Sequence, residues 1–157
     1  MKTSELTRAA LDWAHQPDHN TTPRKQTMTL QEIFDKSIGH MLAQGQQSRQ
    51  GVGCKYRSAA GSCAIGCLFP DSAYRPEFDK GGTYLYELVA TSQNFRAALE
   101  GVGIATSDPQ TIKLLMQLQV LHDAADGEHF EVHIEYGARR IAKDFDLTYN
   151  PTKAQKP

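Results

Sequence analysis

"HFEVHIEYGARRIAKDF", residues 129–145, decides what kind of fold this chain adopts. Phe130, Val132, Ile134 and Tyr136 alternate as in a half-buried strand, whereas Phe130, Ile134, Ala138, Ile141 and Phe145 keep helical spacing over a longer span. The longer register outweighs the shorter one, and the segment is expected to be a helix. With it, nearly every apolar run in the chain carries the helical period, and the fold class expected is α+β, mainly helical.

The strongest helix start lies in "TLQEIFDKSIGHMLAQG", residues 29–45. Thr29 and Glu32 form a capping box, with Met28 and Ile33 at the positions of a hydrophobic staple. Gly45 stands where a helix ends in the left-handed conformation, so a helix over about 30–44 is predicted. Ser4, Leu6, Ala10, Trp13 and Pro17 mark an earlier helix. Leu85, Leu88 and Val89 mark a third, and Phe95, Ala98 and Leu99 a fourth that ends near Gly101. A fifth has Ser107 or Asp108 as cap, Pro109 in its first turn and Gly127 as terminator.

Only "VGCKYRS", residues 52–58, alternates without a competing helical register, with Val52, Cys54 and Tyr56 on one side. It predicts one short strand or hairpin near 52–64. Ser62 is expected to cap a two-turn helix from Cys63 to Phe69, stopped by Pro70, unless the return limb starts extended and only its later part is helical. At 157 residues the chain suits one domain of about five or six helices. Its divisions are an N-terminal helix and loop (1–27), a globular core (28–147) and a flexible tail (148–157).

The formal charge of −1 comes from interspersed acids and bases, which argues against a phosphate-neutralising surface and hence against nucleic acid as partner. No apolar run approaches the ~20 residues that span a bilayer, and no signal-peptide core is present. Three cysteines, an odd count in a chain with a sizeable core, suit a reducing cytoplasm better than a disulfide framework.

The chemistry-bearing stretch is "GSCAIGCLFPD", residues 61–71. On a helix, Cys63, Gly66 and Cys67 would share the side opposite Ala64, Ile65, Leu68 and Phe69. Three readings follow. Small side chains let another element pack close, which the spacing favours. Alternatively, Cys63 is a nucleophile at a helix start, with His122 as base and Asp126 orienting the imidazole from one turn on; the adjacent Asp123 is not expected to face its neighbour. Or Cys54, Cys63 and Cys67 with His40 or His122 bind zinc, although the short knuckle spacing is lacking. No cofactor is called for and no metal is assigned. Tyr56, Arg57, Asp71 and Tyr74 gather around a turn and a helix end, as a binding surface or, for Arg57 and Asp71, as a structural ion pair.

The set "TLQEIFDKSIGHMLAQG", "CKYR", "CAIGCLFPDSAY" and "LQVLHD" resembles a family of small uncharacterised proteins of bacteriophages and mobile elements. Its pattern is C-x-Y-R, then C-A-[IV]-G-x-L-[IF]-P-D-x-x-Y, then L-Q-x-x-H-D, over about 29–125. Cys67 falls on an unspecified position of it, and "SAAG" departs from the expected turn. The resemblance supplies a phage context and no activity; with the small size, near-neutral charge and lack of a complete catalytic constellation, it leads to the expectation of a cytoplasmic accessory protein, phage-encoded, that binds a host or defence-system macromolecule, or its signal molecule, stoichiometrically as an inhibitor or modulator. A Cys-dependent hydrolase or transferase using Cys63 and His122, and a zinc-stabilised binding module, are the alternatives.

Overall fold

The structure is a computed structural model and describes residues 26–80 and 84–151. The expected helix around Leu6 to Trp13 lies outside them. The described elements are α1 (Leu30–Gln44), β1 (Arg49–Gln50), β2 (Gly53–Cys54), β3 (Arg57–Ser58), β4 (Gly61–Ser62), α2 (Leu85–Thr91), α3 (Gln93–Gly101), α4 (Pro109–Ala124) and α5 (Phe130–Asp144). This is a mainly helical α+β domain.

Residues 130–144 resolve the opening ambiguity in favour of the helix. Phe130, Ile134, Ala138 and Ile141 are all buried, while the members of the alternating register that do not share that face, Val132 and Tyr136, are 65% and 73% exposed. Burial of the longer apolar register outweighs the β preference of Val, Ile and Tyr. α1, α4 and α5 pack on one another, and Gly137 lets the Leu121 side chain lie against the α5 backbone. α2 and α3 form a pair that joins the same core through Leu85, Leu88, Phe95 and Leu99.

α1 begins as its sequence prescribes. Glu32 N–H donates to Thr29 Oγ1 at 3.2 Å and Thr29 N–H to Glu32 Oε2 at 2.7 Å, and Gly45 closes the helix at φ 68°. Asp108 caps α4 by accepting from the amides of Gln110 and Thr111.

The β region differs from the expectation in three ways. Residues 52–58 are not one strand but parts of two consecutive antiparallel hairpins, β1–β2 and β3–β4. Val52 is fully exposed at the tip of the first, because Gly51 at φ 64° turns the chain immediately before it. Ser62 caps no helix: it is a strand residue paired with Arg57, and only Gly66–Leu68 forms a short 3-10 turn. The extended alternative for the return limb therefore holds. Its backbone threads the core, so residues of both supposed faces are buried, Cys63 as fully as Ile65.

The tail expected to be flexible from 148 is held at its start. Gln31 exchanges two hydrogen bonds of 2.9 Å with the Thr148 backbone, and Tyr149 meets the edge of Phe34 at 6.3 Å.

Candidate functional site

Cys63, the candidate nucleophile, has no access to solvent. Its Sγ accepts from Gly66 N–H at 3.3 Å, and burial pushes the thiol far above its ordinary range. The thiolate that a nucleophile needs is disfavoured there. Cys67 donates its S–H to the Ala64 carbonyl at 3.2 Å and is pushed up to about 12 by burial. The small face is a packing face. A Cβ on Gly66 would fall inside the Tyr56 carbonyl group.

His122 is fully buried in the last turn of α4, and both its nitrogens are in use. Nε2 lies 3.1 Å from Ser48 N–H and has to accept from it. In the neutral ring the proton then sits on Nδ1 and donates to Asp123 Oδ1 at 2.9 Å. The polarity is that of a catalytic Asp–His pair, but a backbone amide occupies the nitrogen that a nucleophile would need. The orienting carboxylate is Asp123, not Asp126. α4 stops at Ala124, so the one-turn spacing from 122 to 126 is broken and Asp126 lies exposed beyond the helix.

Around this imidazole lies a hydrogen-bond hub. Gln47 donates to the carbonyls of His122 and Asp123, Gln119 donates to Asp123 Oδ1, and Ser48 Oγ donates to the Gly61 carbonyl. Cys54, at the end of β2, stands next to it with its thiol pushed up to about 11, first by burial and then by the Asp123 charge. The donor atoms of Cys54, His122 and Asp123 lie within 4.8 Å of one another and are the only such group among the described residues. The zinc set of Cys54, Cys63 and Cys67 is not assembled. His40, its other candidate ligand, donates Nε2–H to the Ser62 carbonyl at 2.9 Å. A metal on His122 Nδ1 would displace the proton to Nε2, against the Ser48 N–H. The cluster is built for hydrogen bonds and not for an ion.

The four residues expected to form a binding surface form a structural unit. Tyr56 is buried, 5.2 Å from the Phe95 ring. Arg57 pairs with Asp71 at 2.8 Å, donates to the Phe69 carbonyl at 2.7 Å and lies over the Phe69 ring, so the ion-pair reading holds. Tyr74 donates its hydroxyl to Asp79 Oδ2 at 2.9 Å. Asp79, which sequence reading missed, is the centre of the unit. Its carboxylate also accepts from the amides of Tyr56 at 2.6 Å and Arg57 at 3.4 Å, and its carbonyl accepts from Lys55 Nζ. No local motif marks it, since apart from Tyr74 its partners lie 22 to 24 positions earlier in the chain.

Within this unit the Asp71 side chain stays 90% exposed, and Tyr56 and Asp79 border a groove open to a partner. Cys54, Lys55, Gln119 and Asp123 floor this mixed polar groove of about 330 Å³, rimmed by the exposed Val52 and Tyr84. A larger, shallow valley of about 640 Å³ runs along α4, lined by Pro109, Ile112, Met116 and Val120 of that helix, with Arg140 as its one lining residue from α5. On the same helical hairpin, Val120, Val132 and Tyr136 are each more than 60% exposed. These side chains carried helical spacing in the sequence, but which of them would stay uncovered depends on the packing of α4 against α1. Among the described residues no helix is long and apolar enough to cross a membrane. Comparison with known protein families, with curated proteins and with solved structures finds no match.

Proposed function

We propose that this is a phage-encoded accessory protein that works in the host cytoplasm by stoichiometric binding to a host or defence-system protein, as an inhibitor or modulator. The phage context rests on the resemblance of the C-x-Y-R, C-A-I-G and L-Q-x-x-H-D segments. The mode of action rests on one observation: Pro109, Ile112, Met116 and Val120 share one open apolar surface along α4, with Val120 62% exposed. Large apolar side chains clustered on a monomer's surface mark an interaction site more often than chance exposure does. The buried Cys63 and the amide-capped His122 lend turnover at that pair no support.

The experiment is a capture from host lysate with the wild type and with Val120→Glu, which places a charge at a 62% exposed position and should leave the fold intact. The expected result is one host protein retained in a fixed molar ratio by the wild type and lost by the variant, with both melting alike. Retention by the variant at wild-type level removes the reading.

A further inference from the structure

We infer that the valley along α4 receives an acidic amphipathic helix of the partner. The inference rests on the binding function proposed above and adds the chemistry of what is bound.

The floor sets the shape of the occupant. Pro109, Ile112, Met116 and Val120 line it at spacings of three and four, so they form a single apolar stripe along α4. From the first to the last the stripe is about 16 Å long at 1.5 Å per residue, the length of about three turns of a second helix laid beside it. An apolar stripe along one helix, bordered on one side by Arg140 of the next, is the receiving half of helix-on-helix recognition, in which side chains at i, i+3/i+4 and i+7 of the incoming helix cover the stripe.

The rim sets the charge. Lys113 on α4 and Arg140 on α5 are the charged residues of the lining, and among the described residues no carboxylate lines it. Asp108 is near in sequence, but its carboxylate accepts from Gln110 and Thr111 at the start of α4. Asp144 lies one turn beyond Arg140 and outside the lining. An apolar floor bordered by two cations matches a helix whose apolar face is flanked by Glu or Asp. A second copy of this chain fits poorly, because a two-fold pairing through this face would bring Lys113 and Arg140 of each copy against the same cations of the other.

The test uses the full chain and two synthetic amphipathic helices labelled with fluorescein, identical in their Leu positions and flanked by Glu in one and Lys in the other. The Glu-flanked helix should bind the wild type at least tenfold more tightly than the Lys-flanked one. It should lose about tenfold with Arg140→Glu and with Lys113→Glu, little with Arg140→Lys, and nearly all binding with Val120→Glu. Thermal melts of each variant establish that it is folded. Since Lys113 also lies over the Phe145 ring at 5.6 Å, Arg140→Glu decides if Lys113→Glu melts early.

Equal binding of the two helices, or binding of neither, overturns the inference. So does a doubled mass in sedimentation that Val120→Glu abolishes, which assigns the valley to a second copy. A benzophenone amino acid at position 120 that cross-links to residues 1–25 of its own chain overturns it as well. The two levels separate cleanly: lysate capture lost with Val120→Glu while the helices fail to discriminate removes the acidic helix and leaves the binding function standing. Capture indifferent to Val120→Glu removes the binding function itself.

Discussion

Gly66 and the three cysteines show how much one position can decide. The absent Cβ of Gly66 is the space taken by the Tyr56 carbonyl, and backbone cannot yield as a flexible side chain can. Gly66→Val should therefore destabilise the chain by ~3 kcal/mol or more, as overpacking against a rigid neighbour does. Cys63→Ala and Cys67→Ala should cost only about 1 kcal/mol each in thermal or urea melts, since they leave small cavities. Large loss of stability from either sulfur's removal with little from Gly66→Val would contradict the packing reading. Cys54 is the thiol with a measurable titration. With its value raised to about 11, the thiolate is scarce at pH 8, so iodoacetamide should label it far more slowly than a free cysteine, the rate rising through pH 10 to 11. Burial is the largest cause of that shift, followed by the charge of the Asp123 carboxylate and the hydrogen bond it accepts from the thiol. Asp123→Asn should then bring the labelling curve down in pH without restoring it to an ordinary cysteine's. A curve unmoved by Asp123→Asn would show that the charge does not reach the sulfur.

The elements divide into those written locally and those that are not. α1 was legible to its ends because its cap and terminator lie within one short stretch, and both the Thr29–Glu32 capping box and the left-handed Gly45 are observed. α4 shows the same logic at its start, through Asp108 and Pro109, yet its end at Ala124 precedes the glycine expected to stop it. The second hairpin, β3–β4, falls where the sequence predicts a strand or hairpin near 52–64, but the first was not legible, since strands of two residues have no periodicity to read and Gly51, not an alternation, sets its turn. The site was less legible still: Ser48 meets His122 across 74 positions and Asp79 meets Tyr56 across 23, and no local pattern announces either meeting. Local writing also makes the caps testable by pH. Hydrogen bonds from Thr29 hold the Glu32 carboxyl below its ordinary value, and those from Thr111 and Gln110 do so for Asp108. A carboxyl depressed on folding stabilises at pH above its unfolded value, and that contribution is lost as pH falls through the folded one. The stability difference between wild type and Glu32→Gln should thus be present at pH 7 and vanish in acid. A difference that persists at pH 2 would mean that geometry and not charge makes the cap.

At the scale of the molecule, a helical core and a β region of very short strands have to be held together, and His122 is where they are joined. Its ring accepts from Ser48 N–H, and Ser48 in turn reaches Ser58 Oγ at 3.0 Å and the Gly61 carbonyl at 2.9 Å, so a single imidazole ties the last turn of α4 to both strands of the second hairpin. Removing it leaves a buried amide without an acceptor, a loss of ~1–3 kcal/mol, and adds the cavity of the missing ring. His122→Ala should accordingly lower stability by about 3 kcal/mol, and the loss should be local before it is global. Amide exchange should quicken across 48–62 while the buried turns of α1 and α5 keep their protection, because those helices pack through Ile33, Phe34, Ile134 and Ile141 without help from the hub. His122→Gln carries a carbonyl that can accept from Ser48 and should recover part of both losses. A catalytic histidine would behave otherwise, leaving exchange and melting near wild type in either variant, and that outcome would return the Asp123–His122 pair to the search for an activity.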